Sequence, residues 1–448
     1  MTKQDNAREI VLDMLLEILE EGKYSHTVLR QTLKRYQYLD KKDRAFISRI
    51  TLGTVKTYLT LDYIINQFAT LPAHKMKPLI RNLLRLSVYQ IINMNSVPEA
   101  AICNEAVKLA KKRGFTKLSG FVNGTLRNIA RNKELIRFPQ MEQDPTAYLE
   151  VNYSTPRWLV EQLIGQYDIQ TTEEVLKASL KEKETTIRTN QSKLTPGQLK
   201  DILTSEGVIV EENAYLAYAF QIKNYDYLEH LTSFQKGYFT VQDLSSMLVC
   251  EAAGLKAEDM VLDVCAAPGG KSLHAAEQVE KVFARDLTEY KINLINENID
   301  RLGITNIEAK VWDATIEDND MIERADVVIA DLPCSGLGVL GKKSDIKYKL
   351  TQNQQKELVE LQRCILMIAG KYVKKGGILI YSTCTLNKEE NIDNRNWFLA
   401  HSDFVSENLD EYLPEALRND TTKEGYLQLI QGVMDTDGFF ISRMRRQS

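Results

Sequence analysis

The chain has 448 residues, 44% hydrophobic and 26% charged, enough for about three domains at roughly 150 residues each, with real cores. No apolar stretch approaches the roughly 20 residues that cross a bilayer, and Met1 to Ile10 lacks an apolar signal core, so a cytoplasmic protein with no membrane partner is expected. The net charge of -4 conceals an asymmetry, because residues 1–140 carry 24 Lys+Arg against 12 Asp+Glu; such a basic module suits nucleic acid, or a solvated helical surface.

From Ala7 to Arg131 the pattern is helical throughout. Ile10, Leu12, Leu15, Leu16, Ile18 and Leu19 mark one amphipathic helix, and Ile80, Leu83, Leu84, Leu86, Val88 and Ile91 another. Pro72, Pro78 and Pro98 punctuate these segments without interrupting them. An all-α bundle follows. Pro139, Asp144-Pro145 and Thr155-Pro156 then mark a linker and fresh helix starts, with strands expected at Thr185 to Thr189 and Val208 to Val210, giving a small α+β module.

From about Phe234 a strand–helix rhythm begins. Strands are expected at Met260 to Val264, Lys281 to Arg285, Ala309 to Trp312, Asp326 to Ala330 and Gly377 to Tyr381, with helices between them at Tyr290 to Leu302 and Gln354 to Val373. Alternating β and α with right-handed crossovers gives a parallel doubly wound sheet. Tyr426 to Gln431 and Gly438 to Met444 would close it with an antiparallel edge.

The first of these strands runs into Cys265-Ala266-Ala267-Pro268-Gly269-Gly270-Lys271-Ser272, a tight small-residue turn that opens a helix. Glycines let the backbone approach a ligand. A Walker A loop would need Gly where Cys265 stands, and the dinucleotide fingerprint is absent; a tight turn that merely packs helix on strand is the plainer alternative. Asp286, Asp313 and Asp331 end the next three strands. A lone strand-end Asp is often a helix cap, but three beside this loop read as a nucleoside pocket, with Asp286 on the ribose and Asp313 on the adenine amino group.

The six cysteines are Cys103, Cys250, Cys265, Cys334, Cys364 and Cys384, with no C-x-x-C pair, so no metal site is expected. Cys103, Cys250 and Cys364 read as small buried apolar residues. Cys334 and Cys384 differ. They lie in Asp331-Leu332-Pro333-Cys334-Ser335-Gly336 and Ser382-Thr383-Cys384-Thr385, each directly after a buried strand, and strand ends are where open α/β sheets hold their chemistry. Two thiols delivered there suggest covalent assistance to methylation of a cytosine ring carbon. Spacing does not decide which one attacks.

These motifs, with Glu389-Glu390-Asn391 and the upstream Val241-Gln242-Asp243-Leu244-Ser245-Ser246, resemble the S-adenosylmethionine-dependent RNA cytosine-C5 methyltransferases over about 234–448. Asp43-Arg44-Ala45-Phe46, Leu84 to Gln90 and Gly120 to Arg127 resemble the RNA-binding fold of NusB, a fusion found in the bacterial branch that acts on 16S ribosomal RNA. The resemblance implies a NusB-like helical RNA-binding domain over 1–138, a small α+β RNA-binding subdomain over 139–233, and a Rossmann-like methyltransferase domain over 234–448 with an antiparallel last strand. It implies S-adenosylmethionine held by residues 265–271, Asp286, Asp313 and Asp331; Cys384 as nucleophile; Cys334 assisting release; Asp331 on the cytosine edge; and Lys271 bridging cofactor loop and base. The partner would be 16S ribosomal RNA, free or in an assembly intermediate, and nothing requires more than a monomer.

Two positions depart from the family pattern. Gly341-Lys342-Lys343-Ser344-Asp345 stands where an Arg pair and a Pro are expected, and Lys291 stands where Arg is expected. Both keep the positive charge. Rival readings are another rRNA or tRNA cytosine, a non-catalytic NusB-like RNA-binding factor, and an amino-group methyltransferase, which would want an Asp/Asn-Pro-Pro-aromatic island instead.

Overall fold

The computed structural model describes residues 6–448, and they form two compact units. One comprises the chain up to Lys181 together with a ten-residue return, Leu340–Lys349; the other holds the remainder. Residues 139–181, expected with the small α+β module, thus pack with the helical part.

In the N-terminal unit, α1 (Ala7–Leu19), α2 (Ser25–Arg35), α3 (Lys41–Phe68), α4 (Pro78–Asn93), α5 (Glu99–Lys112) and α6 (Ser119–Arg131) enclose one apolar core. The expected stripes supply it: Leu12, Leu15 and Ile18 of α1 meet Ile47 and Ile50 of α3 and Leu83 and Leu84 of α4 within that core. Three further helices follow, α7 (Pro145–Asn152), α8 (Arg157–Gln166) and α9 (Ile169–Leu180), with Asp144 and Asp168 capping the first and last of them.

The return segment is bound through polar groups. Asp345 is buried and accepts the Ser25 backbone N–H at 2.9 Å and the Ser25 hydroxyl at 2.6 Å, capping α2, which has no side-chain cap of its own. Helix α3 kinks at Thr57, and the Lys56 carbonyl there accepts from Lys347 Nζ at 3.3 Å and from the Tyr348 hydroxyl at 2.8 Å. Lys347 Nζ also donates to the Tyr153 carbonyl at 3.0 Å.

The C-terminal unit carries two sheets. The small one has the order β2-β3-β1-β4, from β1 (Thr185–Thr189), β2 (Ile209–Glu212), β3 (Ala219–Lys223) and β4 (Phe239–Val241), all antiparallel and backed by α10 (Pro196–Ser205). Of these, β3 and β4 were not expected. Tyr215 to Lys223 lacks alternation because Ala219, Phe220 and Ile222 are all buried, and β4 has only three residues. Arg188 on β1 pairs with Glu277 at 2.5 Å, and both are buried.

The large sheet is built on β5 (Met260–Asp263), β6 (Lys281–Asp286), β7 (Ile307–Val311), β8 (Ala325–Asp331) and β9 (Val373–Thr383). Its order is β10-β12-β9-β8-β5-β6-β7, parallel from β9 to β7, where β10 is Phe404–Ser406 and β12 is Phe439–Arg446. The last strand is antiparallel to β9 as expected. It is not the edge, because β10 and β11 (Tyr426–Leu429) both pair with its far side. The order reverses between β8 and β5, the switch point at which doubly wound sheets bind ligands. Among the described residues no helix is long and apolar enough to cross a membrane.

Burial, and then the charge of Lys56, lower Lys347 to about 7. An unfolded lysine holds its proton to about 10.4. Between those values the unfolded state binds the extra proton, so stability rises with pH by up to about 1.4 kcal/mol per unit. Lys347→Met is expected to remove that component, measured as a flatter dependence of urea unfolding on pH than wild type above neutrality. An unchanged slope would mean that Lys347 keeps its proton when folded.

Candidate active site

The strand order sets the site. Read along the sheet, the carboxyl ends of β9, β8, β5, β6 and β7 deliver Cys384, Asp331 with Cys334, Asp263 with the small-residue turn, Asp286 and Asp313. One cleft of about 270 Å³ is lined by Cys265, Ala267, Asp286, Asp313, Asp331, Cys334 and Cys384, with Leu287, Trp312, Leu361 and Ile365 among its apolar walls. Lys271 does not line it, nor do Ala266, Pro268, Gly269 and Gly270. They form the turn behind, where Gly269 is left-handed at φ 103°.

The thiols meet. Cys334 Sγ and Cys384 Sγ are 3.4 Å apart. Beside them Asp331 accepts Lys271 Nζ at 2.6 Å and the Ser382 hydroxyl at 2.8 Å, and it remains 26% exposed, open to a ligand. Burial alone would lower the Lys271 ammonium, but Asp331, then Asp263 and Cys384, raise it above the ordinary lysine value. Its Nζ also lies 5.4 Å over the Phe439 ring. The hydrogen bond with Cys384 and burial together push the Cys334 thiol well above the usual range, so it holds its proton at neutral pH.

At the other end, Asp286 accepts the backbone N–H groups of Ala267 at 2.9 Å and Leu287 at 2.7 Å, and Lys291 Nζ at 2.7 Å. Asp313 Oδ1 accepts the Thr315 hydroxyl at 2.7 Å and its N–H at 2.9 Å, which lower the Asp313 carboxyl. No hydrogen bond engages Asp313 Oδ2 among the described residues, so an acceptor is left at the cleft. Two carboxylates separated by apolar walls suit a nucleoside, which is polar at its ribose and base edges and apolar on its faces. The residues present therefore fit S-adenosylmethionine.

Several participants were not anticipated. Asp263 is buried, accepts the Ser272 hydroxyl at 2.6 Å and the Cys265 N–H at 3.3 Å, and is raised by burial to about 7; it fixes the turn from below. Glu390 accepts the Ser335 N–H at 2.8 Å, Asn387 Nδ2 and Gln362 Nε2 at 3.0 Å each. Thr385 and Ser335 hydroxyls are 2.6 Å apart. Gly338 donates to the Cys384 carbonyl at 3.0 Å and accepts from the Gly438 N–H at 2.9 Å; a Cβ on Gly338 would lie 1.8 Å from the Gly438 carbonyl oxygen. The acidic pair after the second thiol island and Gly336 and Gly338 at the first were the available signals. Among the described residues no cluster of His, Cys, Asp and Glu could hold a metal ion.

Comparison with known proteins matches three segments. Residues 252–445 match the family described as 16S rRNA methyltransferase RsmB/F, residues 5–131 the NusB family, and residues 155–226 the ferredoxin-like domain of RsmF/B-like methyltransferases. The Bacillus subtilis protein named Probable ribosomal RNA small subunit methyltransferase B is 36% identical over 99% of this chain and its own full length. A Synechocystis protein of the same name is 30% identical over 98% of this chain and 99% of its own. Among solved structures, PH0851 shares the fold at a TM-score of 0.81 and 24% identity over all of both chains. NSun6 from Pyrococcus horikoshii, solved with SFG, does so at 0.57 and 22% over 65% of this chain and 98% of its own.

Replacing Asp286 removes the one carboxylate that organises Ala267, Leu287 and Lys291 together. Asp286→Asn is expected to weaken binding of S-adenosylhomocysteine by about ten- to a hundredfold, the scale of a charged hydrogen bond. Isothermal titration calorimetry measures this, with unchanged circular dichroism as the control. Unaltered affinity would put the nucleoside elsewhere.

Proposed function

Because the chain belongs to the RsmB/F family of 16S rRNA methyltransferases, we propose that it methylates C5 of a cytosine in 16S ribosomal RNA through a covalent cysteine–C6 adduct. The observation that carries this reading is the pair of thiols 3.4 Å apart beside the Lys271–Asp331 pair, at one end of a cleft whose other end suits a nucleoside. The relatives' names speak for small-subunit RNA as substrate.

When bound, S-adenosylmethionine supplies an electrophilic methyl group. Residues 265–271 would shape its pocket, Asp286 would accept from the ribose hydroxyls and Asp313 from the adenine amino group, with Asp331 at the thiol end of the same cleft. Cys384 attacks C6 as a thiolate, which makes the ring enamine-like and C5 nucleophilic. Asp331, held in orientation by Lys271 and Ser382, hydrogen-bonds the cytosine edge and stabilises the protonated or enamine form of the base. Once C5 carries the methyl group, loss of the C5 proton to solvent and departure of the Cys384 thiolate from C6 restore the aromatic ring, and Cys334 assists that release. The family resemblance, not the geometry, divides the roles, since the two sulfurs face each other at 3.4 Å and either could attack. The base must leave its stack to enter, so single-stranded or loop RNA is the substrate form.

The test is Cys334→Ala produced in a bacterium and run on a denaturing gel with and without ribonuclease. A slow band, sensitive to ribonuclease and lost when Cys384 is also replaced, is expected. Sequencing the trapped RNA names the nucleotide. A band from Cys384→Ala instead would reverse the two roles. No adduct from either variant, with no methyl transfer by wild type, would refute the proposal.

A further inference from the structure

The chain that carries Cys334 runs within a few residues into the Leu340–Lys349 return and packs beside α2. Helix α2 has no acidic residue, and His26, Arg30 and Lys34 recur at four-residue spacing on an exposed ridge, so Arg30 and Lys34 set two positive charges about 6 Å apart with a neutral imidazole one turn before them. The return adds to that ridge. His26 is lowered by burial and next by Lys343, with Arg30 and Lys349 acting in the same direction and Asp345 against them, which shows how closely these charges gather. The only carboxylate in that group is Asp345, already buried and bonded to Ser25 and Lys349.

Aromatic rings flank the ridge at both ends. Tyr24 is 54% exposed, with its ring held 4.3 Å from Lys349 Nζ and 5.8 Å from the His26 ring. Lys349 is itself fixed by the Lys23 carbonyl at 2.7 Å and Asp345 at 2.7 Å. Tyr38 is 67% exposed, 6.0 Å from the Tyr36 ring. A solvated basic helix has no need of half-exposed tyrosines locked in place. Rigid exposed rings beside regularly spaced cations are the two elements that bind single-stranded nucleic acid, one stacking bases and the other holding phosphates.

We propose that α2 and the Lys342–Lys349 return form a dock for a single-stranded stretch of the substrate RNA flanking the target cytosine, with Tyr24 as a stacking platform and Arg30 and Lys343 on phosphates. This rests on the RNA-methyltransferase reading above. The dock differs from the catalytic cleft in that it grips the strand without touching the reacting base. Lys342 and Lys343 would hold phosphate as point charges, without the bidentate fork of an arginine.

The experiment uses the full chain, because deleting the N-terminal residues would strip Asp345, Lys347 and Tyr348 of their partners. Binding of a fluorescent single-stranded oligonucleotide carrying the target sequence is followed by anisotropy across a salt series. Arg30→Ala with Lys343→Ala is expected to make the log–log salt slope shallower by about 1.4, at about 0.7 per phosphate contact, and Arg30→Lys with Lys343→Arg to restore it. Tyr24→Ala is expected to weaken binding about tenfold with the slope unchanged. For methyl transfer these variants should raise KM for RNA and leave kcat at saturating RNA and S-adenosylhomocysteine affinity as in wild type. Wild type that methylates RNA alongside variants with unaltered affinity and slope would overturn the dock alone. An equal loss by Tyr24→Ala on duplex RNA would overturn its single-strand character. Wild type that neither binds nor methylates RNA would overturn both this inference and the reading beneath it.

Discussion

A buried carboxylate without a cation holds the reactive centre together. Glu390 is fully buried, is raised by that burial, and among the described residues is satisfied by neutral donors alone, from Ser335 after β8, Asn387 after β9 and Gln362 of the helix Gln352–Tyr372. Such a network stands only if every member is in place, so the loop bearing Cys334 and the loop bearing Cys384 are fixed to each other and to the helix behind them. The Ser335–Thr385 hydroxyl contact and the Gly338–Cys384 backbone bond add two more ties. The 3.4 Å between the sulfurs is the outcome of those restraints, since neither thiol is joined covalently to the other.

The sheet supplies the remaining order. Because β5 lies between β8 and β6, the turn after β5 is the shared wall between thiols and acids, and Lys271 in the helix that follows can reach Asp331 across the switch point. Asp263 at the end of β5 ties that helix down through Ser272. A change in the turn therefore disturbs the nucleoside end and the thiol end together.

Much of this was legible in the sequence, for a physical reason. Parallel strands buried on both faces are continuous apolar runs, and their ends carry the chemistry, so β5, β6, β8 and β9 and the residues after them stood out. Strands β3, β4 and β10 did not, being short or broken by Ala and Gln instead of alternating. Within the site, Cys334, Cys384, Asp331, Asp286 and Asp313 come together along one cleft. Ser382 and Glu390 stood in the motifs without a role, and Asp263 likewise, because each acts through a neighbour's orientation, and such roles depend on partners distant along the chain. The return segment was invisible for the same reason. Its Lys and Asp residues look like a solvated loop until Ser25, Lys56 and Tyr153 appear opposite them.

That return has an evolutionary side. Ten residues of the N-terminal unit are encoded more than 150 positions downstream, inside the catalytic sequence. A gene that merely joined a helical bundle to a methyltransferase would yield two separable modules, and either could later be lost by a simple truncation. Because a loop of the catalytic sequence caps α2 and fills the kink of α3, loss of the bundle would leave Lys347 and Tyr348 stranded and the loop without its packing partners. Removing the bundle therefore costs the catalytic part a folded loop, so the two are not separable by a simple deletion.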